Sequence, residues 1–491
     1  MSDTKKQVLG EQGIYDAKTL GTPKMLILGL QHMFAMFGST VLVPLITGLN
    51  VSTTLLFAGL GTLLFHLITK KKVPAFLGSS FAFLTGYGAI AGLVIVKAGG
   101  EQMTAQELLP YACFGVALAG LLYLLLAFLF KIYGATRVMK FFPPIVTGPI
   151  IIAIGLILSP VAINSCSSNW PIALVAIFAI IICNIWGKGM VKILPILIGV
   201  VASYTVAAIT GNVDFSGVAS APWIGLPIHY SDTVFSIFSS ESFTGTLITQ
   251  TVEGEIVETA INRTGLLITA AITIVPIAIA TMMEHIGDIS AISSTVDRNF
   301  IKDPGLHRTL IGDGLATALA SLFGAPANTT YGENTGVLSL TRVFDPLVIR
   351  LAAIFAIIMS FCPKFSAIIE AMPSATVGGI SLVLYGMISA VGVRNIVETQ
   401  VDFTRSRNVV VAALILVLSI GINFSDAGKI AFSIGSVNIA LTGLAVGSLV
   451  GIILNAILPG KDYSFNETTG SETGADLSGI SEKEIKEEKK K

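Results

Sequence analysis

Long apolar segments recur along almost the whole chain, and they restrict its fold to one that spans a membrane. Between Ala17 and Val213 the only acidic residues are Glu101 and Glu107. A helix needs about 20 predominantly apolar residues to cross the hydrocarbon core of a bilayer. The 491 residues are 53% hydrophobic and 12% charged, whereas soluble domains carry about 25% charged residues. The sequence therefore predicts an all-α polytopic membrane protein in contact with a lipid bilayer.

Fourteen candidate transmembrane segments can be distinguished by hydropathy. The first seven begin near Met25, Thr53, Phe76, Leu109, Phe142, Pro171 and Ile193. The second seven begin near Leu266, Leu310, Thr329, Leu347, Ser374, Val409 and Asn438. With the N-terminus inside, all thirty Lys and Arg residues except Lys97, Arg263, Lys364 and Lys429 fall on the cytoplasmic side. This charge bias predicts a multi-pass protein of the cytoplasmic membrane with both termini in the cytoplasm.

A polar stretch in the middle of the chain divides the predicted spans into two sets of seven. The predicted units are an N-terminal cytoplasmic tail (1–24), a first repeat (25–211), an extracytoplasmic loop (212–263), a second repeat (264–458) and a disordered cytoplasmic tail (459–491). Because each half holds an odd number of spans, the halves have opposite orientations. That is the arrangement of an inverted repeat.

The third predicted span of each half is interrupted by Gly, Pro and small polar residues, at 74–81 and at 324–332. Paired interruptions of this kind indicate a binding site near the middle of the membrane. The backbone groups freed there must line a cavity or be buried in protein, since lipid cannot satisfy them. In the first interruption, Ser80 and Phe81 offer a hydroxyl, backbone amides and a ring that can stack on a planar ligand.

Four acidic residues lie in apolar surroundings within fifty positions of one another: Glu284, Asp288, Asp313 and Glu333. A carboxylate at the bilayer centre costs about 3 kcal/mol, so such residues usually line a substrate or ion path. Glu284 and Asp288 are one helical turn apart, and two like charges so close in a low dielectric do not ionise independently. The pair is typical of a proton-coupled carrier. The alternative is a structural pair satisfied by a neighbouring Arg, His or backbone amide.

The other polar residues in apolar segments have both functional and structural interpretations. Glu333 opens an apolar run after Gly332, where it could face a ligand at a helix N-terminus or serve only as a cap. Asp313 could belong to the site or lie near the membrane surface with its carboxylate in water. Gln31 and His32 could join a hydrogen-bond network with another broken helix or simply pack. The four cysteines lack metal-ligand spacing, so we expect no metal site. We also expect no cofactor and no catalytic residue.

Several of these motifs together resemble the nucleobase–ascorbate transporter family (nucleobase:cation symporter-2). They are Gln31-His32, Gly78-Ser79-Ser80-Phe81-Ala82-Phe83, Glu284-His285-Ile286-Gly287-Asp288 and Glu333-Asn334-Thr335-Gly336 with Thr341-Arg342. The resemblance runs from about Met25 to about Leu458. Within the family, residues 330–333 with Thr341-Arg342 resemble uracil permeases, whereas xanthine and urate carriers tend to have Gln in place of Glu333 and Gly in place of Arg342.

The resemblance implies a fold and a set of site residues. Spans 1–4 and 8–11 would form a core domain and spans 5–7 and 12–14 a gate domain, often in a homodimer. Spans 3 and 10 would each begin with a short strand, and the two strands would meet antiparallel at the substrate. The implied substrate-binding residues are Glu284, Glu333, Phe81, Gly332, Tyr331, Ser80 and Tyr385, and the implied proton-coupling residues are Asp288, Glu284 and His32. Some uracil permeases have histidine at the position of Asp288, so a histidine-based relay cannot be carried over.

These expectations together predict a non-enzymatic, proton-coupled symporter that imports uracil by alternating access and has no nucleic-acid partner. Alternatives are a carrier of xanthine, other purine bases or a broader range of nucleobases. A channel with the acids in a selectivity ring is a third class. An intramembrane aspartyl protease is a remote alternative, because Gly287-Asp288 and Gly312-Asp313 superficially resemble paired catalytic aspartates. The long outer loop at 235–263 has no functional interpretation from the sequence.

Overall fold

The computed structural model describes residues 13–239, 243–250, 256–434, 437–461 and 463, and they are mostly α-helical. Residues 1–12 and 464–491, which make up much of the two predicted tails, lie outside the described residues. The helices of the first half are α1 (Thr22–Thr47), α2 (Val51–Ile68), α3 (Leu84–Ala91), α4 (Ala105–Tyr133), α5 (Ala135–Val138), α6 (Pro144–Ser167), α7 (Trp170–Trp186), α8 (Met190–Ile193), α9 (Pro195–Ile209), α10 (Ser216–Ser220) and α11 (Phe235–Ser239).

The second half continues with α12 (Arg263–Ile274), α13 (Ala278–Val296), α14 (Leu306–Leu322), α15 (Glu333–Thr341), α16 (Pro346–Ser360), α17 (Pro363–Glu370), α18 (Ser374–Glu398), α19 (Ser406–Asn423) and α20 (Gly443–Ile457). The strands are β1 (Leu77–Ser79), β2 (Val94–Lys97), β3 (Thr244–Gln250), β4 (Ile256–Asn262), β5 (Asn328–Thr330), β6 (Lys429–Ile434) and β7 (Val437–Thr442). They form three separate sheets: β1 with β5, β2 with β3 and β4, and β6 with β7.

Within the described residues, seven helical units are long and apolar enough to cross a membrane, or eight if α16 and α17 form one span bent by 87°. One of the seven is the continuous stretch Arg263–Val296, which combines α12 and α13. The apolar helices α7, α9 and α20 and the stretch Phe81–Ala91 are shorter. The protein is therefore a multi-pass membrane protein, and the count of fourteen spans stays a prediction.

One segment differs from the sequence interpretation, and a second has a structure that the sequence did not suggest. A span was predicted to begin near Asn438, but the chain there forms the β6–β7 hairpin, and α20 begins only at Gly443. The Thr442 side chain accepts from the backbone N–H of Ala445, an N-cap that sets the start of the helix. The outer loop without an interpretation holds the β3–β4 hairpin, which extends β2 into a three-stranded sheet.

The long helices pack in two groups. In the first, α14 lies against α4 and α2, α16 lies against α2 and α1, and α12 lies against α4. In the second, α18 lies against α6 and α7, α19 against α6 and α20, and α7 against α9. Glycines allow this close packing: a Cβ on Gly120 would lie 2.6 Å from the Gly314 carbonyl oxygen, and one on Gly155 would lie 2.2 Å from that of Tyr385.

The two interrupted segments cross each other within the first group. The sequence prediction placed short strands there, and in the structure β1 and β5 pair antiparallel, with Leu77 opposite Thr330 and Ser79 opposite Asn328. The pairing extends by one bond at each end, from Ser80 N to Ala327 O (2.9 Å) and from Tyr331 N to Phe76 O (3.0 Å). Each strand then leads into a helical segment, a 3-10 turn and α3 after β1, and α15 after β5.

Candidate substrate-binding site

Neutral side chains anchor β1 to the neighbouring helices α1 and α2. The Thr62 hydroxyl on α2 accepts from Leu77 N at 2.9 Å, and the Ser79 hydroxyl donates to the Thr40 carbonyl on α1 at 2.9 Å. A three-residue strand with one partner leaves half of its backbone groups unpaired, and each buried unpaired group costs about 1–3 kcal/mol. Thr62 and Ser79 therefore hold an otherwise unstable piece of extended chain in place.

An acidic residue does the same for β5. Asp313 on α14 accepts from Thr330 N at 2.9 Å, and the Thr317 hydroxyl, one turn further along, donates to the Asn328 carbonyl at 2.9 Å. The Asn328 side chain in turn donates to the Phe57 carbonyl at 2.7 Å. Asp313 has no exposed surface. The interpretation in which its carboxylate reaches water at the membrane surface is therefore wrong, and its observed contact is with the strand.

The predicted acid pair lies on α13, beside the end of β5. Glu284 and Asp288 are both half-buried. Asp288 Oδ2 accepts from the Thr330 hydroxyl at 3.2 Å, and His285 Nδ1 lies 3.1 Å from the same hydroxyl oxygen. Asp288 also borders the next turn of the chain, since a Cβ on Gly332 would lie 3.4 Å from its Oδ1. Asp288 and the turn that opens α15 thus face the same point.

The helical segments after the two strands begin at positions that the sequence singled out. Helix α15 begins at Glu333, directly after Gly332, which is exposed; the Glu333 side chain lies outside the described part of the chain. The 3-10 turn after β1 begins at Phe81. The N–H groups of a first helical turn lack intrahelical partners and can donate to a ligand. Two such turns, at Phe81 and Gly332, flank the strand crossing.

Three aromatic side chains enclose the crossing. Tyr331 is 5% exposed, and its hydroxyl donates to the Ser79 carbonyl at 2.8 Å, so it connects the end of β5 to β1. Phe81 meets Tyr385 edge to face, with ring centroids 6.0 Å apart. Because Tyr385 belongs to α18, the second helix group reaches the site through this contact. Ser80 is buried, and its hydroxyl has no hydrogen-bond partner among the described residues.

Among the described residues, no hydrogen bond links the Gln31–His32 pair to this network. His32 on α1 is fully buried, and within the described part of the chain neither of its ring nitrogens has a hydrogen-bond partner. Conversely, Thr330, His285 and Thr62 contact the site but were not among the predicted residues. Their signals in the sequence were weak: Thr330 ends an interrupted segment, and His285 lies between two acids.

Comparison with known proteins identifies the family of the chain. A sequence profile described as "Permease family" matches residues 23–428. The chain belongs to this family. The matched family is the nucleobase:cation symporter-2 family, which the motifs of the sequence resemble. The match confirms the family predicted from those motifs.

This permease is 39% identical over 463 residues to a uracil permease of Bacillus caldolyticus, an alignment that covers 91% of this chain and 94% of the relative. It is 38% identical over 443 residues to a uracil permease of Bacillus subtilis (strain 168), covering 88% and 91%. The relatives are permeases rather than enzymes, in agreement with the prediction that the chain is not an enzyme.

Among solved structures, the transmembrane domain of a cyanobacterium bicarbonate transporter, BicA, matches with a TM-score of 0.52. The match covers 91% of this permease and 100% of that chain at 14% sequence identity. At that identity the likeness concerns the fold alone. It supports a transporter-type arrangement of the helices.

Proposed function

We propose that this permease is a proton-coupled symporter that imports uracil across the cytoplasmic membrane by alternating access. Both relatives named above are uracil permeases, and they align over about nine-tenths of this chain. The observation that carries the proposal is the crossing of β1 and β5 beside the acid pair, where Asp288 binds Thr330 two residues before Gly332. This arrangement combines backbone donors, carboxylate acceptors and a titratable group at one point.

Uracil fits this set of groups. It is a neutral planar imide with alternating N–H donors and C=O acceptors. We assign the N–H groups of the base to Glu284 and Glu333 and its carbonyl oxygens to the backbone amides at Phe81 and Gly332. Ser80, Tyr331 and Tyr385 would shape the pocket. A base whose donors and acceptors stand in a different order leaves buried polar groups of the site unpaired. Each unpaired group costs about 1–3 kcal/mol, which is enough to select uracil over such a base.

Proton coupling is assigned to Asp288 together with Glu284. Two carboxylates one turn apart, both half-buried, titrate as a coupled pair rather than independently. Asp288 is bonded to the strand that ends beside Gly332, so its charge can influence the geometry of the site. His32 remains a weaker candidate for proton coupling, because within the described residues its ring nitrogens have no hydrogen-bond partner.

For alternating access we assign the first helix group to the core and the second to the gate. Core and gate would move relative to each other around the strand crossing, with Tyr385 as the contact of the gate with Phe81. On this proposal residues 25–211 and 264–458 are inverted repeats of seven spans, 212–263 lies outside, and the tails at 1–24 and 459–491 are cytoplasmic. The opposite directions of β1 and β5 support an inverted relation of the two halves.

The test is uptake of radiolabelled uracil into proteoliposomes, with an inward proton gradient, an inward sodium gradient or neither. Xanthine, uric acid, cytosine and thymine are added as competitors. We expect uptake driven by the proton gradient and inhibited mainly by uracil itself and close pyrimidine analogues. Glu284→Gln should remove uptake, whereas Glu398→Gln, at a surface ion pair with Arg394, is the matched control for loss of a carboxylate.

Three results would contradict the proposal in different ways. Uptake that yields to xanthine or uric acid would reassign the permease to purine bases. Uptake that follows sodium rather than protons would overturn the coupling ion and leave the substrate in place. Uptake that does not saturate and ignores both gradients would indicate a channel rather than a carrier.

A further inference from the structure

The hydroxyl of Thr330 is held between two ionisable side chains behind the candidate site. We propose that Thr330 and His285 form a proton-linked switch, in which the imidazole tautomer of His285 follows the ionisation of Asp288. The tautomer would pass that change to strand β5. Thr330 and His285 are thereby positioning residues for proton coupling, and this inference rests on the proposed function of Asp288.

For a neutral imidazole, the hydrogen-bond geometry permits two arrangements. A hydroxyl has one proton to donate. An ionised Asp288 can only accept, so at 3.2 Å the Thr330 hydroxyl must donate to its Oδ2. The same oxygen lies 3.1 Å from His285 Nδ1 and must then accept from it, which requires the tautomer with the proton on Nδ1.

Protonation of Asp288 allows this chain of bonds to reverse. A protonated Asp288 can donate to the Thr330 oxygen, the hydroxyl can turn to donate to His285 Nδ1, and the imidazole then carries its proton on Nε2. The change balances when one proton enters at His285 Nε2, the Nδ1 proton passes to the Thr330 oxygen and the Thr330 hydroxyl proton passes to Asp288. The cluster then gains one proton and loses none, and the imidazole is neutral before and after the transfer. His285 Nε2 has no hydrogen-bond partner among the described residues, so no hydrogen bond at that nitrogen locks either tautomer within this part of the chain.

Burial keeps bulk water away from the His285 and Asp313 side of this chain of bonds. Asp313 is 0%, His285 1% and Thr330 4% exposed, and the Phe65 ring stands edge-on to the imidazole at 6.3 Å. In such surroundings an unpaired polar group is costly, so the bonds of the cluster reorganise together. Other ionisable groups on the elements around His285 include Glu284 on α13, His66 on α2, Tyr123 on α4, and Tyr331 and Glu333 after β5.

Asp313 connects the switch to the backbone of the strand. Its Oδ1 accepts from Thr330 N at 2.9 Å, and its Oδ2 lies 3.5 Å from His285 Nδ1. In the arrangement with a proton on Nδ1, the imidazole N–H faces both the Thr330 oxygen and this carboxylate. In the reversed arrangement Nδ1 carries a lone pair next to Asp313, a less favourable contact. The hydrogen-bonding surroundings of Thr330, two residues before Gly332, therefore differ between the two arrangements.

The direct test is ¹⁵N solid-state NMR of the permease in lipid bilayers, with ¹⁵N-labelled histidine and no substrate. The chain has five histidines, and the His285 signal is the one missing from His285→Asn. We expect the proton on Nδ1 at high pH and on Nε2 at low pH. In Thr330→Val the pH dependence should vanish, whereas in Thr317→Val it should remain. Thr317 is the matched control, since its hydroxyl bonds the Asn328 carbonyl of the same strand.

Two results would overturn the switch. One is an imidazole that keeps its proton on the same nitrogen, whether Nδ1 or Nε2, at all pH values. The other is an imidazole that becomes doubly protonated at low pH, because His285 would then itself be the proton carrier.

Transport measurements separate a failure of this inference from a failure of the proposed function. In Thr330→Val we expect proton-driven uracil accumulation to fall about tenfold, with a smaller change in equilibrium binding at fixed pH. His285→Asn keeps an N–H near the Nδ1 position and should retain more accumulation than His285→Leu. If the wild type accumulates uracil with the proton gradient and Thr330→Val accumulates it to the same extent, the switch alone is rejected. Absence of proton-driven uptake in the wild type would reject the proposed function instead.

Discussion

The two interrupted segments have the same backbone arrangement but different chemical surroundings. Each is a three-residue strand followed by a helical segment, and each borrows hydrogen bonds from neighbouring helices. Strand β1 takes them from neutral groups, Thr62 and the Thr40 carbonyl. Strand β5 takes them from Asp313 and is also bonded to Asp288. The comparison teaches that one crossing serves two purposes: the β1 side provides scaffold and shape, and the β5 side carries the charge.

The largest effect is expected from Glu333, at the start of α15 on the β5 side. Glu333→Gln removes a charged acceptor, and hydrogen bonds to charged groups contribute about 1.5–3 kcal/mol. Uracil affinity should fall by about one to two orders of magnitude, as measured by equilibrium binding to the purified permease. Wild-type affinity in this variant would remove Glu333 from the site and would break the assignment of charge to the β5 side.

Asp288→Asn should separate coupling from binding. The amide cannot carry the proton but keeps the size of the side chain, so the bond with the Thr330 hydroxyl can be retained. We expect proton-driven accumulation to fall about tenfold, with a smaller change in binding at equilibrium. The readout is uracil uptake with and without the gradient. Unchanged accumulation would dismiss Asp288 as the proton carrier.

Two glycines allow the packing on the β1 side and on the β5 side to be compared directly. A Cβ on Gly78 would lie 2.6 Å from the Tyr331 ring and 2.7 Å from the Thr40 hydroxyl, whereas the nearest atom to one on Gly332 is Asp288 Oδ1 at 3.4 Å. Gly78→Ala should therefore destabilise the fold by about 1–3 kcal/mol through overpacking. Gly332→Ala should affect mainly uracil binding. Thermal unfolding in detergent and a binding assay, applied to both variants, would show whether scaffold and chemistry separate in this way.

The smallest effect is expected from Ser80 on the β1 side. Its hydroxyl has no hydrogen-bond partner in the described part of the chain, so Ser80→Ala leaves no protein group unpaired. We expect a change in uracil affinity of about threefold or less, corresponding to under 1 kcal/mol. A loss as large as that of Glu333→Gln would show that the β1 side also supplies binding energy through its side chains.

Sequence reasoning reached the class of the protein and selected a candidate site because both depend on local patterns. Apolar runs, paired interruptions and acids in apolar segments are visible without any structure. It left the role of Asp313 open and did not select Thr330 or His285. No local pattern shows that a carboxylate on α14 and an imidazole on α13 converge on one residue of β5.

The sequence by itself determined that the chain spans a membrane, that each half carries one interrupted segment as a candidate binding region, and that two acids lie one helical turn apart at Glu284 and Asp288. Only the tertiary structure decided the register of Leu77 with Thr330, the burial of Asp313 and the closure of Tyr331 onto Ser79. It also replaced the start of the last predicted span with the β6–β7 hairpin. The physical reason is the sequence distance over which each feature is set. Hydropathy patterns are formed by neighbouring residues, whereas these contacts join residues far apart in the chain that meet only when the helices pack.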